Sequence, residues 1–129
     1  MSNSNFFQQL LFAISIIFWL ETVNAAPIDA ANIIYNKGDY TQAIKLYRSL
    51  AVQGDTWAQY KLGLMYANGK GVPYDIVKAY LWFNFAAVYG NADATKNRNI
   101  VAKKMTPQQA VEAQKIIRDC AAKKLKGCN

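Results

Sequence analysis

Residues 58–94 read AQYKLGLMYANGKGVPYDIVKAYLWFNFAAVYGNADA, and the reading of this stretch decides the fold. Ala58, Leu62 and Tyr66 recur at i, i+4 and i+8, one stripe of an α-helix. Gly63, beside Leu62, removes a side chain where a second backbone can approach closely. Asn68-Gly69 stops the helix, because glycine takes the left-handed conformation that a helix end favours. Pro73 cannot donate a backbone hydrogen bond and so stands outside the next helix, while Asp75 occupies an N-cap position. Ala79, Phe83, Ala86 and Ala87 form a second stripe, which Gly90 ends. The stretch is a helical hairpin joined by Gly-Lys-Gly-Val-Pro, its small residues marking close helix contacts.

Outward from this hairpin the same signals recur. Residues 28–37 carry Ile28, Ala31, Ile34 and Tyr35 at helical spacing before Gly38. Asp39 caps a helix running to Gln53, with Ala43, Leu46, Tyr47, Leu50 and Ala51 on one face. Gly54 and Asp55 separate it from a helix over 56–68, and the connection leads to one over 75–89. Gly90 and Asn91 precede a helix over 92–104. Thr106 is a good N-cap, and Pro107 fits the first helical position, where its missing N–H costs nothing. The last helix, 107–126, turns Ala110, Ala113, Ile116, Ile117 and Cys120 inward. No stretch alternates as a strand does, so the chain is all-α, with six short helices in three hairpins.

The hairpins repeat. A shift of 36 places Asp39 on Asp75, Ala43 on Ala79, Tyr47 on Phe83, Ala51 on Ala87, Gly54 on Gly90 and Ala58 on Ala94. Upstream of the turn the shift is 31, with Tyr35 on Tyr66 and Gly38 on Gly69. The difference is a five-residue insertion in the second connection. A period in the thirties built from two helices is the signature of an α-solenoid.

Ala58, Leu62, Gly63, Tyr66, Gly69, Gly71, Val72, Asp75, Ala79, Trp82, Ala86, Ala87, Gly90 and Ala94 resemble the pattern of the Sel-one-like repeat family, relatives of the tetratricopeptide repeats. Residues 92–118 resemble the segment that often follows such repeats. The resemblance implies a short right-handed α-solenoid of about three stacked helical hairpins. It also implies a scaffold for protein interactions, in bacterial exported proteins among others. In such solenoids the first helix of each pair lines a concave groove. Carried over, the groove positions are Trp57, Tyr60, Leu64 and Asn68, then Asp93, Lys96, Ile100 and Lys104, with Ile33 and Lys37 from the first helix. This groove is apolar and aromatic at its centre and basic toward its C-terminal end, and suits a protein or peptide with hydrophobic anchors and acidic flanks. Trp57 and Tyr60 are the expected affinity anchors; the alternative for Trp57 is packing between repeats.

Leu10 to Leu20 (LLFAISIIFWL) is an apolar run of eleven, the length of a signal-peptide core rather than of a bilayer span. Val23-Asn24-Ala25 supplies small residues for a cut after Ala25. The reading is a signal peptide over 1–25, a repeat domain over 26–129 and an exported, periplasmic or secreted protein, with an uncleaved anchor as the alternative. Two cysteines remain, Cys120 and Cys128. Export permits a disulfide. On a continuous helix they would stand about 12 Å apart at 1.5 Å per residue, too far to bridge, unless Gly127 ends the helix and lets Cys128 fold back. Pairing within the chain and pairing between chains both stay open.

The net charge of +7 is unevenly spread. Residues 26–95 hold six basic and five acidic side chains, whereas residues 96–129 hold nine and two. A basic terminal helix favours anionic partners, here a membrane surface or cell-wall polymer, with nucleic acid disfavoured by export. It also serves simply to solvate an outer face. Three hairpins are near the minimum for a solenoid, so a monomer or weak dimer is expected.

No constellation for catalysis emerges. The chain has no histidine, which removes the usual general base, and two thiols alone do not make a closed zinc site. Ser49 is the one serine after residue 25. Asp39 and Asp75 share a cap position, and GKG at 69–71 lacks the spacing and the Ser/Thr of a phosphate loop. The aromatic run at 80–89 is core packing rather than a ligand platform, Trp82 and Phe85 filling inter-hairpin space and Asn84 facing solvent. The expectation is a non-enzymatic module with no cofactor and no metal. The family resemblance adds one alternative, a hydrolase acting on cell-wall or antibiotic-like substrates.

Overall fold

A computed structural model describes residues 26–128. The apolar run at 10–20 and the cut expected after Ala25 lie outside the described residues. The described residues form six helices, α1 (Pro27–Asn36), α2 (Tyr40–Val52), α3 (Thr56–Asn68), α4 (Ile76–Val88), α5 (Ala92–Ala102) and α6 (Pro107–Ala122). None of them is long and apolar enough to cross a membrane.

Five helix starts are fixed by side-chain caps. Asp39 accepts from the Gln42 amide at 3.0 Å and Asp75 from the Lys78 amide at 3.0 Å. Asp55 and Asn91, also 36 residues apart, accept from the Ala58 and Ala94 amides at 2.8 Å each. Thr106 and Gln109 form a reciprocal capping box. Each cap satisfies a donor that the helix itself leaves unpaired. The repeat extends to backbone conformation: Gly54 and Gly90 both have φ 95°, a value that costs a side-chain-bearing residue dearly.

Helices α1 to α5 pack each on the next, forming a short helical solenoid. The third pair is splayed: α6 lies mainly on α4 and has few direct contacts with α5. Its Gln114 amide reaches the Tyr80 hydroxyl of α4 at 3.3 Å. Ala113 and Cys120 are buried, but Ala110, expected inward, is exposed in the first turn, where α6 has separated from α5. The core runs through Ala43, Tyr47 and Ala51 of α2, Ala58, Leu62 and Met65 of α3, and Ala79, Trp82 and Phe83 of α4. Trp82 and Phe85 form an edge-to-face pair with ring centroids 6.0 Å apart.

Gly63 admits an aromatic ring rather than a second backbone. A Cβ there would stand 2.4 Å from Cδ1 of Phe83. A Cβ on Gly90 would meet nothing within 4 Å; its role is the turn. Asn84 is half-buried, 3.4 Å from a guanidinium nitrogen of Arg98, instead of facing solvent freely. Helix α6 ends at Ala122, before the expected 126, because Lys124 (φ 50°) and Leu125 (φ 66°) both turn left-handed. The reversal brings Cys128 to a Cα distance of 5.6 Å from Cys120, and the two are joined by a disulfide.

Among the contacts that bind the first hairpin to the second, two close the ends of α2. Gln59, fully buried, donates from Nε2 to the Ala51 carbonyl at the end of α2, 3.0 Å away. The inserted connection folds back onto the start of α2: a Cβ on Gly71 would meet the Tyr40 carbonyl oxygen at 2.7 Å.

Candidate functional site

The first helices of the three pairs are α1, α3 and α5. Ile33, Leu64 and Ile100 occupy the same repeat position on them, separated by 31 and then 36 residues. Ile33 is 53% exposed, Ile100 43%, and Leu64 half-buried. The side chain at this position is exposed in the first and third pairs, while Leu64 in the second packs partly against the core. One helical turn later the row reads Lys37, Asn68, Lys104, all exposed.

Between α3 and α5 the face deepens into a hollow of ≈ 170 Å³ lined by Leu64, Asn68, Tyr74, Ile100 and Lys104, among others. The Phe83 ring contributes to its wall. Helix α5 ends at Ala102, so Lys104 lies in the following turn rather than in the helix, as the longer helix over 92–104 had it. Asn68 spends one amide hydrogen on the Leu64 carbonyl, 2.9 Å away, which leaves its carbonyl oxygen toward solvent.

Trp57 and Tyr60 stand at the other end of α3, where the structure separates their roles. Trp57 is 40% exposed; its ring lies 5.2 Å from that of Tyr60 and beneath the Lys61 ammonium, 5.2 Å away. Tyr60 is half-buried, its ring 5.9 Å from the Phe83 ring. Burial, with Asp93 opposite, raises the Tyr60 phenol above its ordinary pKa, while a hydrogen bond to Asn97 opposes this. Tyr60 therefore supports the core as well as the surface. Lys96 is exposed on α5.

Sequence reasoning passed over the cationic trim of this face. Lys61 sits over both Trp57 and Tyr35, and Lys70 of the inserted loop over both Tyr35 and Tyr40, at 5.2–5.7 Å from the ring centroids. Each such contact draws an ammonium toward the electron-rich face of a ring. The phenols of Tyr35 and Tyr40 in turn raise the pKa of Lys70. The signal lay in the Gly-Lys-Gly spacing: with Gly71 pressed on Tyr40, the preceding lysine has little choice but to cross the aromatic pair.

The face offers an apolar row, a shallow hollow and several lysines, with Asp93 as the acidic member of the expected groove set. Among the described residues no group of three or more His, Cys, Asp or Glu side chains is placed to hold a metal ion.

Comparison with known proteins agrees with the repeat reading. The Sel1 repeat family matches at residues 35–55 and 58–87. The chain is similar to the human protein sel-1 homolog 2, with 43% identity over 51 residues, 40% of this chain and 7% of that protein. It also resembles the crystal structure of a protective antigen present in uropathogenic Escherichia coli strains, which displays an SLR fold. That match has a TM-score of 0.70 and 34% identity and covers 79% of this chain and 23% of the other. The chain thus spans only a small part of either relative. Repeats of this kind generally serve to bind protein partners. The chain carries Sel1-like repeats, the matched residues running from the end of α1 through α2, α3 and α4 of a short helical solenoid.

Proposed function

We propose that this chain is a non-enzymatic adaptor of the bacterial envelope or secreted fraction, whose concave face holds a protein segment with apolar anchors and acidic flanks. The observation that carries the reading is the row Ile33, Leu64, Ile100. A repeat protein gains little in its own stability from exposing apolar side chains at this position in its first and third pairs and leaving that of the second half-covered. A partner that covers the row removes that apolar area from water, at about 25 cal/mol per Å². Lys37, Lys61, Lys96 and Lys104 border the row and favour acidic flanks. The apolar run at 10–20 and the Cys120–Cys128 disulfide support an exported location.

Trp57→Ala combined with Ile100→Asp is the direct test, since neither side chain is buried. The variant is expected to lose at least tenfold in affinity for a partner recovered from envelope extract while its helical circular dichroism stays unchanged. Undiminished binding moves the site off this face. Tyr60 is left intact because its loss would also disturb Phe83.

The excess of basic residues over 96–129 favours a second reading, docking of the C-terminal helix on anionic lipid or cell-wall polymer. Such binding falls steeply between low and moderate salt, whereas a row of apolar anchors holds.

A further inference from the structure

On the side of the molecule formed by α2, away from the row Ile33, Leu64, Ile100, the C-terminal turn and α2 border an open cleft of ≈ 490 Å³ lined by Lys45, Arg48, Ser49, Val52, Lys126 and Gly127. Three cations and a hydroxyl meet there, and among the described residues no carboxylate lines the cleft. The ion pair among the described residues, Lys115 with Asp119, lies elsewhere on α6. Arg48 is held in place from behind: its Nη2 donates to the Tyr66 hydroxyl at 2.9 Å, which fixes the guanidinium without neutralising it. Its buried Nε finds no acceptor.

We propose that this cleft binds a phosphate monoester. Like charges brought together without a counter-charge repel one another, and a ligand that supplies the missing negative charge removes the repulsion. A dianionic phosphate answers three cations better than a single carboxylate does, and arginine with lysine is the usual pairing for phosphate oxygens. The cleft is larger than a bare oxyanion requires. Val52 and the aliphatic stems of Lys45 and Arg48 line the remainder, which suits a small organic body carrying the phosphate.

The Cys120–Cys128 bond completes the site. Lys126 and Gly127 lie within the loop it closes, so the third cation faces α2 only because the chain reverses there. A soluble ester and a lipid headgroup both present this phosphate, and the chemistry is shared.

The test is calorimetric titration of the oxidised protein with glycerol 3-phosphate at constant ionic strength, with glycerol as the neutral control. Vesicles containing phosphatidic acid are compared with pure phosphatidylcholine vesicles in a second arm. The expected result is one-to-one binding of the ester, at least tenfold weaker in Lys45→Gln/Lys126→Gln, whose altered residues are exposed and leave the fold intact. Reduction of the disulfide weakens it similarly, and Trp57→Ala leaves it unchanged. Binding of the vesicles alone, with the same dependence on Lys45 and Lys126, assigns the phosphate to a lipid headgroup. Failure of both ligands, or equal binding by the double variant, overturns the proposal.

Discussion

The first two hairpins, α1–α2 and α3–α4, solve one packing problem in two ways. Each has an aromatic ring at the same repeat position, Tyr47 in the first and Phe83 in the second, both essentially buried. Opposite the ring, at the 31-residue shift, stands Asn32 in the first hairpin and Gly63 in the second. The Tyr47 hydroxyl donates to Oδ1 of Asn32 at 2.7 Å, and the side chain keeps the helices apart by its own length. Phe83 has no hydroxyl to satisfy, and Gly63 lets the ring lie directly on α3. The pairs Tyr with Asn and Phe with Gly are coherent; a mixture strands a hydroxyl or drives a methyl group into a ring.

The largest effect is expected from breaking the second pair. Gly63→Ala places a methyl group inside the Phe83 ring, and unfolding in urea should show a loss of about 3 kcal/mol, the upper end for overpacking. Phe83→Leu in the same chain should recover part of it. If Gly63→Ala alone is neutral, the ring is not seated where it is described.

Next comes the inserted loop, which only the second hairpin has. Gly71→Ala meets the Tyr40 carbonyl and adopts φ 71°, so a loss of about 2 kcal/mol is expected from the left-handed backbone alone. Gly38→Ala, φ 84° but open space around it, isolates the backbone part of that cost. Equal losses at the two sites would mean that the loop does not rest on α2.

The first pair should respond more mildly. Tyr47→Phe removes one hydrogen bond, worth about 1 kcal/mol. It also removes a titration. Burial, with Tyr35 beside it, raises the Tyr47 phenol from 10.0 to about 12. The folded state therefore keeps its proton where the unfolded chain loses it. The contribution is complete below pH 10, declines between pH 10 and about 12, and is gone above. Urea midpoints across that range should fall more steeply for the parent than for Tyr47→Phe, and identical slopes would place the phenol in water.

Smallest of all is the difference between equivalent caps. Asp39→Ala and Asp75→Ala should each cost about 1 kcal/mol and differ by less than about 0.5 kcal/mol, because both make the same bond at 3.0 Å.

Helix starts, helix number and the repeat were legible because they depend on local chemistry. An aspartate before an amide or a glycine at a positive φ acts within four residues of itself. What opposes a residue was not legible in the same way. Gly63 was legible as a close approach but not as a seat for a ring, since that depends on α4 crossing at a particular height. Gln59 had no local sign of burial; its partner is a carbonyl on the preceding hairpin. The early end of α6 rests on Lys124 and Leu125, neither of which advertises a left-handed backbone. At the candidate face the positions came from the repeat arithmetic, while the placement of Lys61 and Lys70 over aromatic rings needed the fold of the inserted loop. The cleft beside α2 draws its residues from opposite ends of the domain, and no spacing along the chain links them.

Gln59 carries a consequence for how the molecule comes apart. The Ala51 carbonyl belongs to one unit and its donor to the next, while Gly71 and Lys70 of the second unit rest on the first. In a linear array the free energy divides into terms intrinsic to each unit and terms shared between neighbours. Here the shared term is large, because the end of α2 and the start of α2 are both completed by residues that follow. The first hairpin cut loose would fray at both ends of α2. The two units are therefore expected to melt in one step, as a single cooperative block rather than by peeling from the amino-terminal end.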